Sequence, residues 1–310
     1  MQPQEAKQKL KGPCIPVITP FNEDYSLDLD SLEANVNYLL DHGISQGRGF
    51  LLIGGAGGEF PMLDTEERKK VAKTVVDTAD GDVATIVGAQ HTDTASILEL
   101  ARYAKKIGAD AVQASHTFYY EPSAEDVYRL FSRVNEIGIS IMVYNTPWEG
   151  FNIGPDLMER LANLENVVSF KWAAPTVAEY KTGLRNHAED LAMVDNMGLT
   201  PFSHMMGCTG FITHVANYWP EHELEILDLM EEGKYEQAYS MTEEFNFPWY
   251  KFRGKMSGRT GGEANVIKPA MEMVGLQVGP PRPPTRPMND EERAELRKLL
   301  EEGGVPLGRV

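Results

Sequence analysis

Two side chains able to do carbonyl chemistry stand at the ends of apolar runs. Lys171 lies within Val167-Val168-Ser169-Phe170-Lys171-Trp172-Ala173-Ala174, a stretch that reads as a buried strand. An ammonium is costly to bury unpaired. Burial lowers a lysine's pKa and leaves a neutral amine that can attack a carbonyl carbon. One strand-and-helix unit upstream, Ser140-Ile141-Met142-Val143-Tyr144 ends in a tyrosine followed by Asn145-Thr146-Pro147. A strand-end amine and a strand-end phenol suggest Schiff-base formation with proton transfer. The competing reading is that Lys171 reaches the surface along its aliphatic stem while Tyr144 caps a core.

The elements that must position these groups recur with a regular rhythm. Apolar runs at 14–18, 50–53, 84–88, 111–115, 140–144, 167–171, 191–195 and 210–213 are short, rich in Val and Ile, and mostly lack polar alternation. Strands covered on both faces have this composition. Amphipathic patterns separate them, such as Leu29-Leu32-Val36-Leu39-Leu40 and Ile97-Leu100-Ala101-Ala104. Asp28, Asp64, Asp93 and Ser123 supply N-caps, and Gly43, Gly108 and Gly138 supply helix stops. Eight such alternations predict a (β/α)8 TIM barrel. The glycine run Gly54-Gly55-Ala56-Gly57-Gly58 follows a strand but leads into Glu59-Phe60-Pro61 rather than a phosphate-binding helix. It reads as a tight loop whose peptide N–H groups face a carboxylate. We expect a polar extension over 1–11, the barrel over 12–232 and a C-terminal helical region over 233–310. In that last region, helices at 236–247, 263–273 and 290–302 flank an extended, proline-rich segment at 279–284.

A formal net charge of −17 over 310 residues leaves no general cationic surface for nucleic acid or anionic membranes. It does not oppose a locally positive site for a small anion. Residues 1–11 lack the apolar core of a signal peptide, and no run of about 18 apolar residues is present. A cytoplasmic location is expected. Cys14 and Cys208 offer neither a disulfide framework nor metal-ligand spacing. No metal and no dissociable cofactor is expected.

Several motifs, in order, resemble the dihydrodipicolinate synthase and N-acetylneuraminate lyase superfamily of class I Schiff-base aldolases. Pro16-Val17-Ile18-Thr19-Pro20-Phe21 is similar to its first strand and loop, and Gly58-Glu59-Phe60 with Leu63-Asp64-Thr65-Glu66-Glu67-Arg68 to its second loop and helix start. Tyr119-Tyr120-Glu121-Pro122-Ser123 resembles the loop after the fourth strand. Tyr144-Asn145-Thr146-Pro147 resembles the catalytic tyrosine motif, and Phe170-Lys171 the Schiff-base lysine. Gly207 to Thr213, with Ala216-Asn217, resembles the glycine-rich eighth strand. The resemblance implies that Lys171 forms an imine with pyruvate or a related 2-oxo acid and that Tyr144 moves protons. It implies that peptide groups at Ala56 and Gly57 hold the carboxylate and that the Ile212 carbonyl lines the site. It also implies a homotetramer built as a dimer of dimers.

Three departures bear on the reaction. The family carries one or two hydroxyl residues where this chain has Ala56 and Gly57. In the synthases the second of them links the catalytic tyrosine to another tyrosine. Tyr119 and Tyr120 are the candidate relay here, with Gly57 unable to make that link; the alternative is that both pack a subunit interface. Synthases also carry an arginine two residues after the proline of the tyrosine motif, where it meets the aldehyde's carboxylate. Here Pro147 is followed by Trp148 and Glu149, which would repel an anionic partner. Finally, Trp172-Ala173-Ala174 follows the lysine; with Trp148, Phe151 and Phe118 it suggests a bulkier, more apolar distal pocket, or aromatic packing at the barrel rim. Asp195-Asn196 could bind substrate hydroxyls or cap a helix, and neither His116 nor His214 is assigned a catalytic role.

The sequence therefore points to a lyase performing aldol cleavage or condensation through a lysine imine and enamine. The alternatives are a dehydratase or hydratase-aldolase of a 2-oxo-3-deoxy or aromatic 2-oxo acid and, behind it, dihydrodipicolinate synthase or a non-catalytic 2-oxo-acid binding protein.

Overall fold

Eight parallel strands close in sequence order, β1-β2-β3-β4-β5-β6-β7-β8, in the computed structural model, which describes residues 1–310. The strands are β1 (Gly12–Pro16), β2 (Phe50–Ile53), β3 (Ala84–Gly88), β4 (Ala111–Ala114), β5 (Ser140–Tyr144), β6 (Val167–Trp172), β7 (Ala192–Asp195) and β8 (Gly210–Ile212). Helices α1 (Pro3–Lys9), α2 (Leu29–Asp41), α3 (Thr65–Ala79), α4 (Thr94–Ile107), α5 (Ala124–Asn135), α6 (Pro155–Ala162), α7 (Val177–His187), α8 (Thr200–Met205) and α9 (Pro220–Glu231) alternate with them. The chain ends with α10 (Tyr235–Met241), α11 (Phe247–Thr260), α12 (Ala264–Val274) and α13 (Asp290–Glu302). The fold is the expected (β/α)8 barrel with C-terminal helices. No helix is long and apolar enough to cross a membrane.

Two sets of segments each pack densely within themselves. The first comprises Met1–Cys14, Ser45–Leu52 and Gly81–Ile212. Its core joins Cys14, Phe50, Leu52, Ala84, Ile86, Ala111, Met142, Val168, Ala192 and Val194 to Ala6 and Leu10 of the N-terminal segment. The polar start of the chain is thus helical and anchored. Lys7 Nζ donates to the Ala188 and Glu189 carbonyls, and Lys9 pairs with Asp110. A seven-residue helix carries too little periodicity to announce itself in the sequence. Strand β1 begins two residues earlier than its apolar run, because Gly12 and Pro13 pair with Gly210 and Phe211.

Register within this unit sets two levels. Gln113, Met142, Ser169 and Ala192 are successive partners at one, and Tyr144, Lys171, Val194, Gly210 and Gly12 at the next. Strand β8 comes close to its neighbours here, and Gly210 is the residue that permits it. A Cβ at that position would lie 2.9 Å from the Phe50 ring and 3.1 Å from the Gly12 carbonyl oxygen.

The second unit comprises Ile15–Ile44, Ile53–Asp80 and Thr213–Val310. The proline-rich segment after α12 is tied down by Arg282, whose guanidinium donates to both Glu67 oxygens and to the Tyr25 and Met62 carbonyls. Helix α11 differs from expectation. The anticipated helix at 236–247 instead runs as α10, passes through a π-helical stretch at Thr242–Asn246, and continues as α11. Pro248 follows just after the π-helical stretch, and the chain stays helical through Asn246 and Phe247, so the anticipated end at 247 is not an end.

Helix α13 begins with a capping box between Asn289 and Glu292, and Arg286 and Arg259 both donate to Glu292. Chiefly through Arg286, these contacts hold the Glu292 carboxyl down at about 2, against an ordinary value of 4.5. A depressed carboxyl stabilises the fold fully above its unfolded-state pKa and loses that contribution as pH falls through the folded value. Glu292→Gln is therefore expected to be less stable than the parent near neutrality. The gap should close as pH falls from 4.5 toward 2 in chemical-denaturation curves. A gap independent of pH would show that the arginines do not act through the charge.

Candidate active site

Lys171 occupies the next-to-last position of β6 and is only 5% exposed. Its neighbours on either side face away: Phe170 stacks on His187 of α7, and the Trp172 ring sits against Gly183 of the same helix. The alternation of a strand therefore turns the lysine toward the opposite face. Its register partner on β5 is Tyr144, and the Lys171 Nζ lies 4.0 Å from the centroid of the Tyr144 ring. The amine and the phenol ring predicted to work together are in contact.

Cys14, the residue of β1 that pairs with Ile212, lies close enough to feel this lysine. Burial pushes the Cys14 thiol up to about 12, with the Lys171 charge pulling the other way. A thiol so placed stays neutral and is no nucleophile at physiological pH. Ile212 is half-buried against the same core cluster.

The turn after Tyr144 is fixed by Asn145. Its backbone N–H donates to the Lys171 carbonyl at 3.2 Å, and its side-chain amide donates to Ala173 O at 2.7 Å and Asn152 Oδ1 at 2.8 Å. Its side-chain oxygen accepts from the Ile153 N–H. One buried asparagine thus ties the tyrosine turn directly to the lysine strand. Thr146 is held in turn by His116, which is fully buried: Thr146 Oγ1 lies 2.9 Å from His116 Nε2, and His116 Nδ1 lies 2.8 Å from Thr117 O. A proton on Nδ1 suits the carbonyl and leaves Nε2 to accept from the threonine. Neither role was legible in the sequence. The only signal was that β4 and β5 are adjacent in order, so that residues just past their ends meet.

Trp148 and Glu149 form a 3-10 turn beyond Thr146 and are exposed. The Trp148 ring meets Tyr144 edge-on at 6.1 Å between centroids, which places it beside the phenol. Tyr119 and Tyr120 are 86% and 81% exposed and pack edge-to-face with each other at 5.1 Å. Phe151 packs edge-on against His116 at 5.6 Å. Trp172 donates its indole N–H to Tyr180 O behind the strand, so the bulky distal pocket expected to include it draws nothing from this residue. Asp195 is committed locally: it accepts from Tyr180 Oη at 2.7 Å, from the Met197 N–H and from Thr200. Burial raises its pKa.

The glycine loop belongs to the second unit. Strand β2 ends at Ile53, and Gly54, in the left-handed region at φ +69°, turns the chain. The N–H groups of Gly58 and Glu59 close turns onto the Gly55 and Ala56 carbonyls. Those of Ala56 and Gly57 donate to no protein acceptor. The loop is locked from below. Thr19 Oγ1 donates to Gly58 O, and Glu59 forms a buried ion pair with Lys268 at 2.8 Å. Arg282 N–H donates to the other Glu59 oxygen. Burial lowers the Lys268 pKa while Glu59 opposes the shift. Lys268 qualifies the sequence argument, since it is as buried as Lys171 yet structural. Lys268 is bound to a carboxylate and lies on a helix of the C-terminal region, whereas Lys171 lies on a barrel strand.

Residues 9–303 match the dihydrodipicolinate synthetase family. A 4-hydroxy-tetrahydrodipicolinate synthase of Methanocaldococcus jannaschii is 32% identical over 298 residues, covering 95% of this chain and 99% of that protein. Among solved structures, dihydrodipicolinate synthase from Aquifex aeolicus superposes with a TM-score of 0.86 at 26% identity, covering 96% of this chain and all of its own. YagE, a prophage protein of the same family from E. coli K12 solved in complex with pyruvate, gives 0.85 at 25%, covering 95% and 99%. With the barrel, the lysine strand and the tyrosine turn in place, the match across nearly the whole sequence means that this chain belongs to the dihydrodipicolinate synthetase family.

Proposed function

We propose that this protein is a Schiff-base lyase acting on pyruvate or a related 2-oxo acid, with Lys171 as the nucleophile. The observation that carries the reading is the contact between the buried Lys171 amine and the Tyr144 ring, held by the β5–β6 register. The neutral amine attacks the 2-oxo carbon, and loss of water gives an imine. Protonation of that imine draws electrons from the adjacent carbon, so an enamine forms or a C–C bond breaks. Tyr144 moves the proton to and from substrate oxygen. The Ala56 and Gly57 N–H groups, which have no protein acceptor, are donors for the substrate carboxylate, as preorganised amides are for oxyanions. By the family resemblance the Ile212 carbonyl is a further substrate contact, and the exposed Tyr119 and Tyr120 serve as a relay when brought under cover by a partner subunit of a homotetramer. A family member solved with pyruvate supports the choice of acid.

A second reading is 4-hydroxy-tetrahydrodipicolinate synthesis, favoured by the name of the 32%-identical relative. Trp148 and Glu149 stand against it. A carboxylate beside the tyrosine turn repels an anionic aldehyde that an arginine would clamp. Aldol cleavage or condensation with a neutral or apolar partner, or hydration of an unsaturated 2-oxo acid through the same enamine, fits these residues better.

Borohydride reduction in the presence of pyruvate and a panel of 2-oxo acids, followed by peptide mass spectrometry, is expected to place the reduced adduct on Lys171 and to give none with Lys171→Ala. No adduct with any acid would turn the reading to a binding protein without imine chemistry. Glu149→Arg is expected to raise condensation of pyruvate with an anionic aldehyde by about tenfold, the scale of one charge-assisted contact. Efficient use of aspartate semialdehyde by the unaltered protein would instead favour the second reading.

A further inference from the structure

A side-chain amide in the middle of the barrel has no protein partner. Gln113 of β4 is fully buried, and neither its side-chain oxygen nor its side-chain nitrogen meets a hydrogen-bonding group of the protein. Its backbone is engaged normally, the carbonyl accepting from the Ala89 N–H at 2.8 Å. The nearby buried hydroxyls are satisfied: Ser169 donates to Ala192 O at 2.7 Å, and Ser115 to His116 O at 3.0 Å. The register partners of Gln113 are Gly88 on β3 and Met142 on β5, and neither side chain offers a strong donor or acceptor. An unsatisfied buried amide costs stability that an apolar residue would not.

Register decides where this amide points. Gln113, Met142 and Ser169 are partners across β4, β5 and β6, with Met142 two residues before Tyr144 and Ser169 two before Lys171. Residues two apart on a strand share a face. Phe170 and Trp172 pack outward on α7, so Lys171 and the level below it face into the barrel. Met142 and Ala111, the residue two before Gln113, both join the core cluster there. Gln113 therefore projects into the barrel one level beneath the amine and the phenol, about 6.6 Å lower along the strands. The neighbour that could crowd it on β3 is a glycine.

We propose that the Gln113 amide holds a water molecule beneath Lys171 and Tyr144, and that this is the water exchanged in imine chemistry. Imine formation joins Lys171 Nζ to the 2-oxo carbon, and the former keto oxygen leaves as water. Hydrolysis is the reverse: the water oxygen adds to the imine carbon, both of its protons end on nitrogen, and the C–N bond breaks to return ketone and amine. A buried amine needs a seat for that molecule. Gln113 provides it, with Oε1 to accept from the water and Nε2 to donate to it. Gln113 is a positioning residue, acting through the water rather than on the substrate. The assignment rests on the reading of Lys171 as an imine-forming lysine and deepens it, by naming the group that handles the other product of imine formation.

The test is a label chase in the full chain. The protein is equilibrated with carbon-13-labelled pyruvate, chased with excess unlabelled pyruvate and quenched with borohydride at intervals. The ratio of heavy to light adduct, read by intact-protein mass spectrometry, gives the rate at which the imine hydrolyses and re-forms. Gln113→Met and Gln113→Leu are expected to slow this exchange about tenfold, the scale of one lost hydrogen bond. The pyruvate concentration that half-saturates trapping should move far less, because formation and hydrolysis use the same water and slow together. In chemical denaturation both variants should be as stable as the parent or more so, since an apolar side chain replaces an amide that the protein itself does not satisfy. Unchanged exchange in both variants would overturn the proposal while leaving Lys171 chemistry intact. So would slower exchange accompanied by a loss of stability, which marks a structural amide. No adduct in the unaltered protein would overturn the underlying reading, and this inference with it.

Discussion

A one-residue shift in the pairing of β5 with β6 decides which side chain meets Tyr144. Ile141 pairs with Val167, but Met142 pairs with Ser169, so β6 carries an extra residue at Val168. Continued without that shift, the register would set Tyr144 opposite Phe170. With it, Tyr144 faces Lys171. Because side chains alternate across a strand, a slip of one residue exchanges the two faces. Phe170 and Trp172 then pack toward α7, while Lys171 is left on the face of Tyr144. Bulges of this kind re-aim side chains beside active sites. The Asn145 amide, bonded to the Lys171 carbonyl, continues the pairing past the end of β5 and holds the result in place.

The rest of the first unit serves that register. Strands covered on both faces must be apolar, and the core from Cys14 to Val194 supplies the packing that keeps β5 and β6 from sliding. The second unit solves a different problem, which is to present peptide N–H groups without spending them. Thr19, Lys268 and Arg282 hold Gly58 and Glu59 by their carbonyl and carboxylate oxygens. The loop is therefore held on one side while the Ala56 and Gly57 amides are left without a protein acceptor, as the proposed carboxylate contact requires. Preorganisation of this kind lowers the cost of holding an anion, because the dipoles need no rearrangement.

Much of this was legible in the sequence because it is periodic. Seven of the eight strands begin within one residue of their apolar runs, and α13 spans the anticipated 290–302. Lys171 and Tyr144 stood out because a charged and a phenolic group ended buried runs. Features that depend on contacts between distant segments were hidden. The bulge at Val168 leaves no mark in an unbroken apolar string, and the buried pair of Glu59 and Lys268 joins residues far apart in the chain. Helix α1 is too short for a period to show, and the continuation of the 236–247 helix through a π-helical stretch into α11 leaves no periodic mark. The gap at Gly57 was visible as a missing hydroxyl, but the His214 ring beside it was not.

Under the proposed function, the β5–β6 register brings Lys171 and Tyr144 together to make and protonate an enamine of the 2-oxo acid. Proton NMR of pyruvate in deuterated water with the purified protein tests it most directly, since enamine formation exchanges the methyl protons. The account predicts exchange by the unaltered protein, a large loss of rate in Tyr144→Phe, and none above the uncatalysed rate in Lys171→Arg. Equal exchange in Lys171→Arg would contradict it, because the protons would then be removed without the imine.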